Sequence, residues 1–183
     1  MNFRAASRTS DSAVVPGCGS GSQSHTEQMR PVLWAIAMGG GYANWYVGTT
    51  AWDVIVPGDI TPGYSYCRHL ISFFTSSSYW LLEPNDALIT TSPDTDMDTA
   101  AGYVLADPAG SELLAYVSVA GPFMLKLPGP STQRWEGGWF DPRSGQSQPV
   151  ANVTSATTDF MPPALYDKTG DVALRLTRVA AAN

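Results

Sequence analysis

The chain has 183 residues, 44% of them hydrophobic, which is enough to bury a sizeable core, yet only 14% are charged and the net charge is −6. That acidic balance offers no basic surface to follow a phosphate backbone, so nucleic-acid binding is excluded. No apolar run approaches the roughly 20 residues of a membrane-spanning helix, and Arg4 and Arg8 lead into no apolar segment of the signal-peptide kind.

Residues 1–29 are rich in Ser, Gly and Thr and poor in large apolar side chains, so they read as a disordered leader. Residues 30–83 have a different character. Pro31 to Met38 is apolar all round, with Pro at its start and Gly39 at its end, which predicts a short buried helix. Tyr42 to Val47 predicts a strand. Thr61-Pro62 then has the form of an N-cap followed by Pro at the first helical position, and Cys67, Leu70, Ile71 and Phe74 recur at helical spacing, which predicts a second helix over 63–76. One strand cannot bury two apolar helices, so this segment needs a partner or leans on the C-terminal half of the chain.

From residue 84 to 183 the pattern turns to period two. Leu113, Ala115, Val117 and Val119 share one strand face, Phe123, Leu125 and Leu127 another, and Val172, Leu174 and Leu176 a third. With 17 Gly and 14 Pro marking frequent turns, the expected fold is mainly β, an antiparallel β-sandwich with a short α/β segment on its N-terminal side. The stretch Trp139-Phe140-Asp141-Pro142-Arg143-Ser144-Gly145 specifies one of those turns fully. Asp141 can hold the turn backbone, Pro142 presets φ, and Gly145 can turn left-handed.

Chemistry-bearing motifs are scarce. Asp94, Asp96 and Asp98 start like a calcium loop, but Thr99 stands where Gly is needed and Leu105 where the closing Glu belongs, so they read as a solvated acidic turn, with an irregular calcium site as the alternative. Gly39-Gly40-Gly41 follows a helix instead of preceding one and reads as a helix stop. His25 and His69 have neither a nucleophile elbow nor metal-ligand spacing around them, and His69 is expected on a helix surface. The four Glu residues form no facing pair. No catalytic residue, metal site or cofactor is therefore assigned, and Cys18 and Cys67, which could pair in an oxidising compartment, read as two unrelated thiols. The candidate ligand-binding residues are aromatic: Trp45, Tyr46 and Trp52 in the first half, Trp135 and Trp139 in the second. Their rings either stack on sugars or proline-rich chains, or pack in a core.

Several segments then come in a familiar order: Tyr79-Trp80-Leu81-Leu82-Glu83-Pro84-Asn85-Asp86, Gly102 to Ala106, Leu114 to Val117, Trp139 to Gly145, Phe160-Met161-Pro162-Pro163, and Asp171 to Leu176. Over residues 79–178 the chain resembles the family named "putative collagen-binding domain", a C-terminal β module of secreted bacterial apiosidase-like glycoside hydrolases. Residues 30–78 resemble the last helix–strand–helix of the preceding barrel. One departure stands out: the family's closing strand commonly begins Asp-Trp, whereas Val172 follows Asp171 here. The resemblance implies a non-catalytic accessory module outside the cell or in the periplasm, binding polysaccharide or a collagen-like matrix or supporting a catalytic barrel. It also implies an alternative, a fragment of a glycoside hydrolase whose barrel another chain supplies or truncation has removed. The barrel's catalytic carboxylates are absent, so hydrolase activity is not implied for this chain alone.

Overall fold

The computed structural model describes residues 13–14, 23–44, 62–91, 102–119, 121–163 and 170–180. Three layers stack in it: a pair of helices, a six-stranded sheet and a three-stranded sheet.

The first helix, α1, spans Gln23–Met38 and the second, α2, spans Pro62–Thr75. Helix α1 therefore starts inside the expected leader and runs through Pro31 instead of beginning there. Proline removes one helical hydrogen bond, but the residues on its N-terminal side, Glu27 and Arg30, are anchored by tertiary contacts described below. The helix stops where the glycines predicted: the Gly41 N–H donates to the Ile36 carbonyl and the Gly40 N–H to that of Ala37, each at 3.0 Å, with Gly40 at φ 76°. This is the paired closure of a Schellman cap.

Helix α2 keeps its predicted length but rolls its face. Tyr66, Phe73 and Phe74 are buried, with Leu70 partly so, whereas Ile71 is 60% exposed. No helix among the described residues is long and apolar enough to cross a membrane.

The strands are β1 (Ala13–Val14), β2 (Ala43–Asn44), β3 (Glu83–Pro84), β4 (Ile89–Thr91), β5 (Gly102–Ala106), β6 (Glu112–Val117), β7 (Phe123–Leu125), β8 (Arg134–Phe140), β9 (Ser147–Thr154), β10 (Asp159–Phe160) and β11 (Val172–Arg178). Strands β1 and β2 form a short parallel pair. The large sheet has the order β3-β5-β6-β11-β8-β9 and the small one β10-β7-β4, both antiparallel throughout.

Period-two alternation places Val104, Leu113, Ala115, Val117, Val172, Leu174 and Leu176 of the large sheet against Phe123, Leu125 and Phe160 of the small one. Trp139 spans the two sheets, edge-on to Phe123 at 5.9 Å, while Phe123 stacks on Phe160 at 5.8 Å. The opposite face of the large sheet carries the second core. There Leu105, Leu114, Tyr116, Phe140 and Ala173 meet Trp34 and Met38 of α1 and Phe73 and Phe74 of α2. All six residues of β6 are buried for this reason, since both of its faces are covered. The helical segment thus leans on the sandwich.

Strand β8 holds two glycines that leave its backbone bare. A Cβ on Gly137 would lie 1.8 Å from the Arg175 carbonyl oxygen, and one on Gly138 would lie 2.9 Å from that of Gln148. Opposite them β9 carries one extra residue, with Asn152 at φ 57°, so the ladder shifts register between Trp135 and Gly137. Gly137→Ala is expected to lower the unfolding free energy by about 3 kcal/mol or more in urea denaturation. Gly121→Ala, whose Cβ meets nothing within 4 Å, should change it little; equal effects of the two would contradict the close approach.

Candidate functional site

The second core is fastened by a buried polar joint. The Arg30 guanidinium of α1 donates from Nε and Nη2 to Asp171 Oδ1, at 2.8 and 2.7 Å. Tyr116 of β6 donates its hydroxyl to Asp171 Oδ2 at 2.9 Å. Arg30 Nη1 also reaches Glu27 Oε2 at 2.5 Å, and the Arg30 guanidinium carbon sits 4.7 Å from the centre of the Tyr66 ring of α2. Tyr66 donates its hydroxyl to the other Glu27 oxygen. Burial alone would lower the Arg30 pKa, but the Asp171 and Glu27 carboxylates outweigh it and push that pKa up. Burial together with the Asp171 charge drives the Tyr116 phenol pKa well up, so it stays a donor.

One helical turn beyond Arg30, Trp34 is fully buried and stacks on Tyr116 at 5.1 Å. Its ring also lies 5.1 Å from Phe73 and 6.0 Å from Phe140. The indole N–H has no hydrogen-bond partner among the described residues, so the site is held by ring packing.

The turn after β8 docks onto this joint. Asp141 accepts the Arg143 N–H at 2.8 Å and the Ser144 hydroxyl at 2.7 Å, the Gly145 N–H donates to the Asp141 carbonyl at 2.8 Å, and Gly145 sits at φ 73°. His69 Nδ1 lies 3.3 Å from the Pro142 carbonyl, an acceptor only, so the proton belongs on Nδ1. A Cβ on Gly145 would come within 2.7 Å of the His69 ring. His69 is therefore not a solvated surface residue but the contact between α2 and the turn. Arg143 reaches back to Glu27 at 3.2 Å.

The helices cover only part of the large sheet's outer face. Among the described residues, the sheet beside the C-terminal half of α2 is left open as a cleft of about 500 Å³, floored by Gly137 and Gly138 and edged by Ser72, Ser76, Glu136, Ser147, Arg175 and Thr177. The Arg175 Nε donates to Glu112 Oε1 at 2.7 Å, and its Nη1 lies 3.4 Å from Ser76 Oγ. Glu112, itself buried, also accepts the Ser78 N–H at 2.9 Å. Glu136 is exposed and has no hydrogen-bond or ion-pair partner among the described residues. The chain segment over residues 76–80 thus crosses β11 and β6 along the rim of the cleft and ends on Tyr79 and Trp80. Trp80 is 68% exposed, edge-on to Tyr79 at 5.5 Å.

The predicted aromatic residues fare differently. Trp45, Tyr46 and Trp52 lie outside the described residues, as does Asp94 to Asp98. Trp135 and Trp139 are 3% and 4% exposed, both in the core between the sheets. Trp135 spends its indole N–H on Ser155 Oγ at 2.9 Å. Neither offers a ring face to a ligand, because alternation in β8 turns both toward the small sheet. Sequence reading did not single out Arg175, Ser72, Ser76 or Trp80. The available signal was the Gly137-Gly138 pair inside a strand, which marks close approach of another backbone. Cys67 is a free thiol, half-buried on α2, its pKa pushed up by burial. No cluster of three metal-ligating side chains occurs among the described residues.

The sequence profile of the family described as "Putative collagen-binding domain of a collagenase" matches residues 84–177, just over half of the chain. No curated protein matches in sequence. Among solved structures the fold is similar to a glycoside hydrolase, with 11% identity and a TM-score of 0.66 over 83% of this chain and 36% of that one. A family 5 glycoside hydrolase from Bacteroides vulgatus ATCC 8482 gives 14% and 0.64 with the same two coverages. A "putative glycoside hydrolase" from that strain gives 13% and 0.58, over 92% of this chain and 35% of that one. At such identities the likeness is one of fold, and the chain spans little more than a third of each of these structures.

Burial by itself would raise the Glu27 carboxyl pKa, but hydrogen bonds from Tyr66 and Arg30 and the charges of Arg30 and Arg143 hold it below the usual carboxylate range. A carboxyl with a lowered folded-state pKa contributes stability above its unfolded value and loses it as pH falls through the folded value. Wild type should therefore melt above Glu27→Gln at neutral pH, with the gap closing as pH drops below about 4.5. A gap unchanged down to pH 3 would contradict the joint.

Proposed function

The chain belongs to the collagen-binding-domain family, and from that premise we propose that it is the non-catalytic accessory module of a secreted glycoside-hydrolase-like protein, working outside the cell to hold that protein on a polysaccharide or collagen-like matrix. The observation that carries this reading is the joint between layers. Helices and sandwich share one aromatic core and one buried ion-pair network, so the module forms a rigid plate that can present a ligand surface. Residues 30–83 are read as the end of a barrel, and the helix packing is what attaches that barrel to the sandwich. The fold likeness to glycoside hydrolases supports this, because it takes in more of the chain than the family profile does.

A second reading is favoured by the apolar side chains on the far side of the helices. Val32, Tyr64 and Ile71 are exposed there, as they would be if a barrel supplied by another chain normally covered them. In that case the chain is a piece of a glycoside hydrolase and contributes no reacting group itself.

Pull-down of the purified chain on fibrillar collagen and on insoluble polysaccharides should retain it on at least one of these matrices. Passage through all of them would contradict the accessory-binding reading. The second reading instead predicts glycosidase activity when the chain is mixed with a separately expressed barrel, and persistent inactivity of that mixture would count against it.

A further inference from the structure

We propose that the open half of the large sheet's outer face, from the cleft beside α2 to Trp80, is the ligand surface of this module and that its ligand is a neutral polysaccharide. This rests on the accessory-binding reading and names its site and ligand class.

The surface is built for a hydroxyl-bearing chain. Gly137 and Gly138 bring bare backbone to the floor of the cleft, each packed too close to a neighbouring strand's backbone to carry a Cβ. Around that floor stand Ser72, Ser76, Thr177, Glu136 and Arg175, a mixture of hydroxyls, a carboxylate acceptor and a guanidinium donor. Sugar hydroxyls both donate and accept, so they match such a mixed lining. Arg175 is held in place by buried Glu112, leaving Nη2 without a partner among the described residues. A donor fixed in this way loses little side-chain freedom on binding.

Charge selects among polysaccharides. Among the described residues, Glu136 is the one carboxylate lining the cleft and Arg175 the one cation, already paired with Glu112. Uronate-rich or sulfated chains gain little from a guanidinium so paired. A collagen-like chain fits less well, because polyproline-type strands dock in grooves lined by aromatic faces. The aromatic residues that meet the cleft itself, Phe73, Trp139 and Phe140, are all buried beneath it, and exposed Tyr79 and Trp80 stand at one end only, outside the groove.

Length favours a polymer over a single sugar. Segment 76–80 runs along the rim from Ser76 near Arg175, past Ser78 at Glu112, to Trp80 just ahead of the edge strand β3. From Ser147 on β9 to Arg175 on β11 the cleft floor crosses three strands, on the order of 10 Å at the usual strand spacing, and segment 76–80 itself carries the surface on over β6 toward Trp80. Trp80, 68% exposed, ends the segment and offers an indole against which a sugar ring can pack.

The test is affinity electrophoresis of the full chain in soluble β-glucan, xylan and galactomannan, with polygalacturonate and fibrillar-collagen pull-down as counter-ligands. Two variants at exposed positions accompany it: Trp80→Ala removes the platform, and Ser72→Trp plugs the cleft. Circular dichroism checks that each is folded. Wild type should be retarded by at least one neutral polysaccharide and not by polygalacturonate, and each folded variant should bind that polysaccharide about tenfold more weakly. Equal retardation of wild type and both variants would overturn the site while leaving the accessory reading intact. Binding confined to collagen or to polygalacturonate would overturn the ligand class. No binding to any of them would overturn the accessory reading as well.

Discussion

The fold hinges on the buried pair between Arg30 and Asp171, which joins residues 141 positions apart. Taking two charges out of water costs several kcal/mol each, and their attraction offsets this only when every remaining polar valence is met. Here it is met: Asp171 accepts from Arg30 and Tyr116, while Arg30 also holds Glu27 and faces the Tyr66 ring. Removing either partner would strand a buried charge, typically a loss of about 3–5 kcal/mol. The pair therefore acts less as a source of net stability than as a selector of arrangement. This placement of α1 on the sheet satisfies it. The free energy of that placement comes from the rings of Trp34, Tyr116, Phe73 and Phe140, which the pair brings into register.

Once α1 is placed, the other contacts are set in turn. Helix α2 packs beside it, His69 meets the turn at Pro142 and Gly145, and Arg143 on that turn returns to Glu27 on α1. The cleft exists because α2 stops at Thr75 while the sheet continues beneath it. The surface proposed to bind ligand is thus a by-product of where the helices end, and the joint holds its rim in place.

Much of the sandwich was legible in the sequence, because alternation is a local signal. Leu113, Ala115 and Val117, Phe123 and Leu125, and Val172, Leu174 and Leu176 all face inward as the pattern requires. The Asp141–Gly145 turn and the glycine stop of α1 were legible for the same reason. Helix faces were not. Pro31 looked like a start because nothing nearby in sequence announces that Arg30 and Glu27 are held from Asp171 and Tyr66. Ile71 looked buried because Tyr66 and His69, polar at their tips, disguise the face that packs. Trp135 and Trp139 stood as both binding and core candidates; strand parity settles the matter once the register of β8 is known. The cleft was least legible, since Ser72, Arg175 and Gly137 meet only across three separate elements.

If the joint makes helices and sandwich one cooperative unit, as the plate-like role requires, the two must open together. Native-state hydrogen exchange on the amides of α1 around Trp34 and of β6 around Tyr116 measures this directly. Equal opening free energies for the two sets, close to the global unfolding value, are the result expected. Exchange of the α1 amides through a much cheaper local opening, with β6 still protected, would contradict it.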